Sequence, residues 1–220
     1  MKLNVLFILS IFLTYSFQNN MDQTIDFEIL LIPEDIKLLM LGKTIHENSI
    51  MKFDDLRYLK IKYFGYDDLD HIGEIIVYKD IAEEVINIFK ELHENKFPIE
   101  KIRLPDYYDG SDELSMRDNN SSGFSDRPIS ETKRSYHQFG LAIDINPLYN
   151  PFVIFKKDHI EPANSREFLD RTKKLKGMID DSSICVQIFK KYNWVWGGDW
   201  TYCKDYQHFE KQDVLDIQNF

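Results

Sequence analysis

Cysteine is almost absent from this chain, which has two in 220 residues. Neither Cys185 nor Cys203 has a second cysteine at the spacing of a metal site, so a thiolate metal centre is not expected. Their separation leaves a disulfide between them open in an oxidising compartment. No cysteine lies near the apolar segment at the amino terminus, which excludes a lipoprotein.

The chain also lacks an excess of positive charge. Its formal net charge is −10 and its isoelectric point is near 5.1, so it has no electrostatic footprint for nucleic acid. The densest basic stretch, Arg166 to Lys176, alternates with apolar and acidic residues and is typical of a solvated helix face. A nucleic-acid partner is therefore not expected.

An apolar run long enough to span a membrane is missing as well. The run from Leu3 to Phe17 follows Lys2 and is shorter than the ~20 residues that a membrane-spanning helix needs. Residues 1–20 are thus predicted to be a signal peptide that exports the protein to the periplasm, the cell envelope or the medium. No small-residue cleavage motif precedes Gln18, so an uncleaved anchor, the only expected membrane contact, is the alternative.

Length and composition predict one globular domain over residues 21–220. Asp80 and Glu83 have the spacing of a capping box, and the apolar residues that follow recur at helical spacing. Residues 106–134 are polar and predicted to be a long, substrate-facing loop. The regular elements are predicted to be strands over residues 58–64, 72–78 and 99–104 and a helix from Asp80 through residue 92.

The first candidate site is a polar loop that runs into an apolar strand. Gly140 permits a sharp turn after His137, and residues 141–145 then read as a buried strand that contains Asp144. A charged residue in such a run is costly unless it is paired or binds a metal. Asp144 therefore needs a partner, and either a metal ion or a backbone turn with Asn146 would serve.

The second candidate site lies some sixty residues later. Asp205 and His208 are three residues apart, so one helical turn or a tight loop could direct both toward one point. His208 could then bind a metal while Asp205 accepts a proton from water. Spacing alone leaves a zinc site and two unrelated polar loops equally open. Arg127, before Pro128, could clamp a carboxylate or an oxyanion, or form a salt bridge to Asp126 or Asp112.

These motifs together resemble the zinc D-alanyl-D-alanine carboxypeptidase and L-alanyl-D-glutamate endopeptidase family. The resemblance covers about residues 70–210 and is far more specific than any one motif. The motifs that carry it, in chain order, are Tyr108-Asp109-Gly110-Ser111-Asp112-Glu113, Asn119 to Phe124, Arg127, Ser135-x-His137-x-x-Gly140-x-Ala142-x-Asp144, Trp196-Gly197-Gly198-Asp199-Trp200 and Asp205-x-x-His208-Phe209-Glu210.

The resemblance implies an α+β fold, a small antiparallel sheet with helices packed on it and a zinc site at the sheet. It implies that His137, Asp144 and His208 bind Zn²⁺ and that Asp205 is the general base. Arg127 would polarise the scissile carbonyl and steady the oxyanion. The substrates implied are stem peptides of peptidoglycan or muropeptides. The protein itself is expected to be a monomer.

One departure from the family pattern bears on specificity. The carboxypeptidase branch has glutamate at the base position, whereas the branch that resembles L-alanyl-D-glutamate endopeptidases has aspartate, as here in Asp205. The resemblance thus favours an endopeptidase over a D-alanyl-D-alanine carboxypeptidase. A zinc-containing module that binds the cell wall or a protein without cleaving it is the alternative, and the presence of Asp205 counts against it.

Overall fold

The computed structural model describes residues 26–127 and 134–217. The predicted signal peptide, residues 1–20, lies outside this part of the chain. Within it, no helix combines the length and apolar character needed to cross a membrane. The helices are α1 (Glu34–Met40), α2 (Ala82–Glu94), α3 (Asp112–Arg117) and α4 (Ile184–Lys191). The strands are β1 (Phe27–Leu30), β2 (Leu56–Phe64), β3 (Asp70–Tyr78), β4 (Lys101–Ile102), β5 (Asn120–Ser121), β6 (Ala142–Asp144), β7 (Phe152–Ile154), β8 (His159–Glu161), β9 (Val195–Trp196), β10 (Lys204–Asp205) and β11 (His208–Glu210).

The first sheet is antiparallel, with strand order β1-β2-β3. Helix α2 packs against its central strand, β2, and presents buried Val85, Ile88, Phe89 and Leu92 at the predicted helical spacing. The apolar side chains of the sheet are buried against this helix because removing apolar surface from water contributes a favourable free energy of about 25 cal/mol per Å². The α+β class is therefore confirmed, with a small antiparallel sheet and helices packed on it.

Several local predictions were wrong. Asp80 does not cap α2, because the chain enters the helix through a 3-10 turn over Lys79–Ile81 and the helix starts at Ala82. The predicted strand over residues 99–104 is reduced to β4. The polar segment 106–127 contains α3, whose Ser111 hydroxyl accepts from the Leu114 backbone N–H. The basic stretch over residues 166–176 forms two short 3-10 turns, not a helix.

Two further antiparallel sheets, β6-β11-β9 and β10-β7-β8, form the other half of the structure. Helix α4 packs on β9, and Phe189 of α4 stacks on Phe209 of β11 with ring centroids 4.0 Å apart. Both rings are fully buried. Truncating a phenylalanine at such a position to alanine typically costs about 3–5 kcal/mol of stability. This packing holds β11 against the core.

The segment Ser122–Phe124 joins the two halves. The Phe124 N–H donates to the Ile76 carbonyl of β3 at 2.8 Å, and Ser122 exchanges two backbone hydrogen bonds with Asp144 of β6. Gly123 lies between them, and a β-carbon there would be 2.5 Å from the Ile76 carbonyl oxygen. Only glycine fits at this point, so the close approach of β3 and β6 depends on it.

Candidate metal centre

His137 lies in a 3-10 turn, Tyr136–Phe139, at the edge of the first sheet. The Ser135 hydroxyl accepts from the His137 backbone N–H at 3.2 Å and opens the turn. Gly140 closes it with φ = +68°, as predicted, and a β-carbon there would be 2.6 Å from the Tyr78 nitrogen. The turn therefore fixes the buried imidazole of His137 beside β6.

Asp144 and His208 come from neighbouring strands. They are direct partners in the antiparallel pair of β6 and β11, so their side chains project from the same face of the sheet. Asp144 Oδ1 is 3.0 Å from His208 Nδ1, and both side chains are buried. Tyr206 and Gln207 separate β10 from β11, and the Ile145 N–H donates to the Gln207 carbonyl at 3.0 Å. Asp205 and His208 thus lie on two short strands, not on a helical turn.

Three side-chain groups converge on one point. His137 Nε2 is 3.2 Å from His208 Nδ1 and 3.2 Å from Asp144 Oδ2. Ligands at about 2.0–2.2 Å around a tetrahedral zinc ion are separated from one another by about 3.3 Å. Among the described residues, the potential ligand atoms of these three side chains all lie within 4.8 Å of one another, close enough to hold a metal ion. The donor set and its spacing therefore fit Zn²⁺ in a site with three protein ligands.

In each histidine, the ring nitrogen that points away from the cluster makes a hydrogen bond, and this bond determines which nitrogen faces the common point. His137 Nδ1 is 2.7 Å from the Gly123 carbonyl, which can only accept, so Nδ1 carries the hydrogen and Nε2 keeps its lone pair. His208 Nε2 is 3.1 Å from Glu210 Oε2, and the same reasoning leaves the lone pair on Nδ1. Two nitrogen lone pairs and a carboxylate thus face one another, an arrangement that requires a cation between them.

The pKa values of His208 and Asp144 also indicate that positive charge is favoured at this point. Burial disfavours a charged imidazolium, but hydrogen bonds to Asp144 and Glu210 outweigh it and raise the pKa of His208 to about 10. Burial also disfavours the Asp144 carboxylate, yet His137 and His208 hold the pKa of Asp144 well below its ordinary value. Both shifts favour a proton or another positive charge between these side chains.

Asp205 lies beside the ligands at the end of β10. A β-carbon added at Gly197 would be 2.7 Å from Asp205 Cβ and 3.3 Å from His208 Cβ, so one point is close to both side chains. Asp205 Oδ1 is buried and has no hydrogen-bond partner among the described residues. Burial and the nearby charges of Asp144 and Glu161 outweigh the opposing effects of His208 and Gln207 and raise the pKa of Asp205 to about 7. A carboxylate with such a pKa suits a general base near neutral pH.

Arg127 is held at the edge of the site by an ion pair with Asp112 of α3. Of the alternatives that the sequence leaves open, the salt bridge to Asp112 is therefore present. Partial withdrawal from water lowers the pKa of Arg127, although 46 % of its side chain is exposed, and the negative charges of Asp144, Glu161 and Asp205 oppose that shift. The guanidinium thus lies within electrostatic reach of Asp144 and Asp205.

Comparison with known protein families gave a match over residues 129–211. These residues match the family model for D-alanyl-D-alanine carboxypeptidase. The match confirms the resemblance drawn from the motifs, and its limits enclose His137, Asp144, Asp205 and His208 but not Arg127. The matched segment, which is less than half of the chain, is thus similar to a family of peptidases. Comparisons with curated proteins and with solved structures gave no match.

Two contacts of the site were not predicted. Glu210 follows His208 by two residues in β11, and side chains at that spacing in a strand share a face, a signal that the sequence contains. The Gly123 carbonyl has no such signal, because a backbone acceptor can come from any residue. Both act on the orientation of a predicted ligand.

Residues 44–49, which precede the part of the chain that resembles the family, also contact residues next to the site. Ser49 donates to one oxygen of Asp126, and the Gln138 amide donates to the other at 2.6 Å. The Asp126 N–H donates to the Thr44 carbonyl at 3.0 Å. Asp126 is next to Arg127, and Gln138 is next to His137. The hydrogen bonds of Asp126 with Thr44 and Ser49, together with that from Gln138, therefore support the positions of Arg127 and His137.

Proposed function

We propose that the protein is a zinc-dependent peptidase that cleaves peptidoglycan stem peptides. The observation that carries the proposal is the convergence of His137 Nε2, Asp144 and His208 Nδ1. A buried Asp205 oxygen beside them has no hydrogen-bond partner in the part of the chain that the structure describes. Three protein ligands and a neighbouring base are the components of a catalytic zinc site. The family match adds the substrate class.

In this proposal each residue has a separate task. His137, Asp144 and His208 hold the ion, which when bound would activate water and polarise a carbonyl group. Asp205 accepts the proton of the attacking water and later donates it to the leaving amine. Arg127, anchored by Asp112, stabilises the negative charge that develops on the carbonyl oxygen.

Burial supports the role of Asp205 in particular. Its carboxylate is withdrawn from bulk water and lies close to Asp144 and His208, so its proton affinity is well above that of an exposed aspartate. Its Oδ1 is buried with no hydrogen-bond partner among the described residues, which opposes folding and supports a catalytic role over a binding module. The choice of bond follows from the same residue: aspartate at this position favours cleavage between L-alanine and D-glutamate over release of terminal D-alanine.

The test is incubation of the purified, zinc-loaded protein with defined muropeptides, with products identified by mass spectrometry. We expect cleavage between L-alanine and D-glutamate. Release of terminal D-alanine would keep the peptidase and change the bond assignment to carboxypeptidase. Intact muropeptides after incubation with protein that contains one zinc ion per chain would contradict the proposal and favour a non-catalytic wall-binding module.

A further inference from the structure

Glu210 is a buried carboxylate whose two oxygens are both engaged. One oxygen, Oε2, is 3.1 Å from His208 Nε2, and the other accepts from the Gln212 side-chain amide at 2.7 Å. The side chain is largely withdrawn from water. Burying a carboxylate is costly unless its oxygens have partners, so the contact with His208 is part of what allows Glu210 to be there.

The contact constrains His208 in two ways. A carboxylate only accepts hydrogen bonds, so it requires a hydrogen on Nε2 and leaves the lone pair on Nδ1. It also fixes the rotation of the ring, because Nε2 and Nδ1 lie on different sides of the imidazole and each has its own partner. Nδ1 then faces Asp144 Oδ1 at 3.0 Å and His137 Nε2 at 3.2 Å.

The two histidines differ in the group that orients them. His137 donates to the neutral carbonyl of Gly123, whereas His208 donates to the charged carboxylate of Glu210. Hydrogen bonds to an ionised acceptor are roughly twice as strong as neutral ones. A carboxylate behind an imidazole also makes its other nitrogen a better donor to a metal. His208 is therefore the more strongly supported of the two ligands.

We propose that Glu210 is a positioning residue that holds His208 in the tautomer and orientation needed to present Nδ1 to the metal. This inference rests on the proposed metal site. Glu210 acts through His208, without contact to the substrate or the reacting atoms. Loss of Glu210 is expected to lower the affinity for zinc directly.

The experiment compares zinc affinities of the full-length wild type, Glu210→Ala and Glu210→Gln by competition with a chromophoric chelator at one pH. Glu94→Ala is the matched control, since it removes an exposed carboxylate at the end of α2. We expect Glu210→Ala to bind zinc about 10- to 100-fold more weakly. Glu210→Gln is expected to recover part of the loss because its amide oxygen accepts from Nε2, and Glu94→Ala is expected to match the wild type.

A second measurement needs no variant. In the zinc-loaded wild type, ¹⁵N NMR of the histidine rings is expected to show zinc on His208 Nδ1 and a slowly exchanging proton on Nε2. Zinc on Nε2, or an Ala variant with wild-type affinity, would overturn the role of Glu210 while leaving the peptidase proposal in place. A wild-type protein that binds no zinc would overturn both.

Discussion

Asp144 and His208 are cross-strand partners in β6 and β11, with Asp144 Oδ1 3.0 Å from His208 Nδ1. The backbone pairing of two three-residue strands thus brings together two groups that are 64 positions apart in the chain. His137 completes the cluster from a separate turn. The geometry of the site therefore depends on strand register, since a slip of one residue would turn one side chain to the opposite face.

Replacing His208 with alanine is expected to abolish stoichiometric zinc binding. The change removes one of three ligands and leaves the Asp144 carboxylate buried beside a single histidine. Metal content after gel filtration, measured by mass spectrometry, checks this. His159→Ala, which changes a largely exposed histidine on β8, is the control and should keep zinc; equal metal content in the two variants would contradict the ligand assignment.

Asp205→Asn should keep zinc and reduce turnover of the cleaved stem peptide by about 100-fold or more, because it removes the proton acceptor. The same change should raise the melting temperature of the metal-free protein at alkaline pH. The folded pKa of Asp205, about 7, exceeds its ordinary 3.8, so the charged carboxylate opposes folding increasingly as pH rises between these values. Turnover at the wild-type rate would disprove the base assignment.

Arg127→Ala is expected to lower kcat by about 100- to 1000-fold with zinc content unchanged, since it removes a positive charge from the developing oxyanion. Asp112→Asn should cause a smaller loss, because the guanidinium keeps its charge and loses only its anchor. Steady-state kinetics on one stem peptide compare the two variants. An Asp112→Asn effect as large as that of Arg127→Ala would indicate that the ion pair itself, and not the oxyanion contact, matters.

Stabilisation by zinc is expected to increase with pH. The pKa of His208 in the metal-free fold is about 10, above its ordinary 6.5, so protonated His208 stabilises the metal-free protein fully below pH 6.5 and less as pH rises toward 10. Zinc needs the unprotonated nitrogen and therefore competes with that proton. Melting temperatures with and without zinc between about pH 5.5 and about pH 8 measure the effect. A difference that stays constant or shrinks would argue against His208 as a ligand.

Gly197→Ala is expected to reduce both zinc affinity and turnover. Its β-carbon would lie 2.7 Å from Asp205 Cβ and from the Asp205 carbonyl oxygen, so β10 or the turn before it must shift. Asp199→Ala changes a half-exposed residue of the same turn and serves as the control. Wild-type kinetics for Gly197→Ala would show that the position of Asp205 is less constrained than the structure indicates.

The sequence predicts which residues come together better than it predicts the local structure that carries them. Asp144 stands out because it interrupts an apolar run, whereas His137, Asp205 and His208 stand out by their spacing and by the motifs shared with the family. The strands that carry Asp205 and His208 have only two or three residues, too few for a periodic pattern to appear. The α2 helix is predictable from its long apolar face, whereas α3, with six mostly polar residues, is not.

The contacts that orient the ligands depend on tertiary structure. The Gly123 carbonyl and the Ser49–Asp126–Gln138 bridge become apparent only when β3, β6 and the loop after α1 lie side by side. Arg127 shows the same limit: its charge and its place before Pro128 suggest a role, but its pairing with Asp112 follows from the position of α3.

The most direct test of the zinc site is a crystal structure of the zinc-loaded protein with anomalous diffraction data collected on both sides of the zinc absorption edge. We predict one strong peak per chain, about 2.0–2.2 Å from His137 Nε2, His208 Nδ1 and an Asp144 oxygen. A peak elsewhere in the molecule, or none between these three residues at full zinc loading, would contradict this prediction.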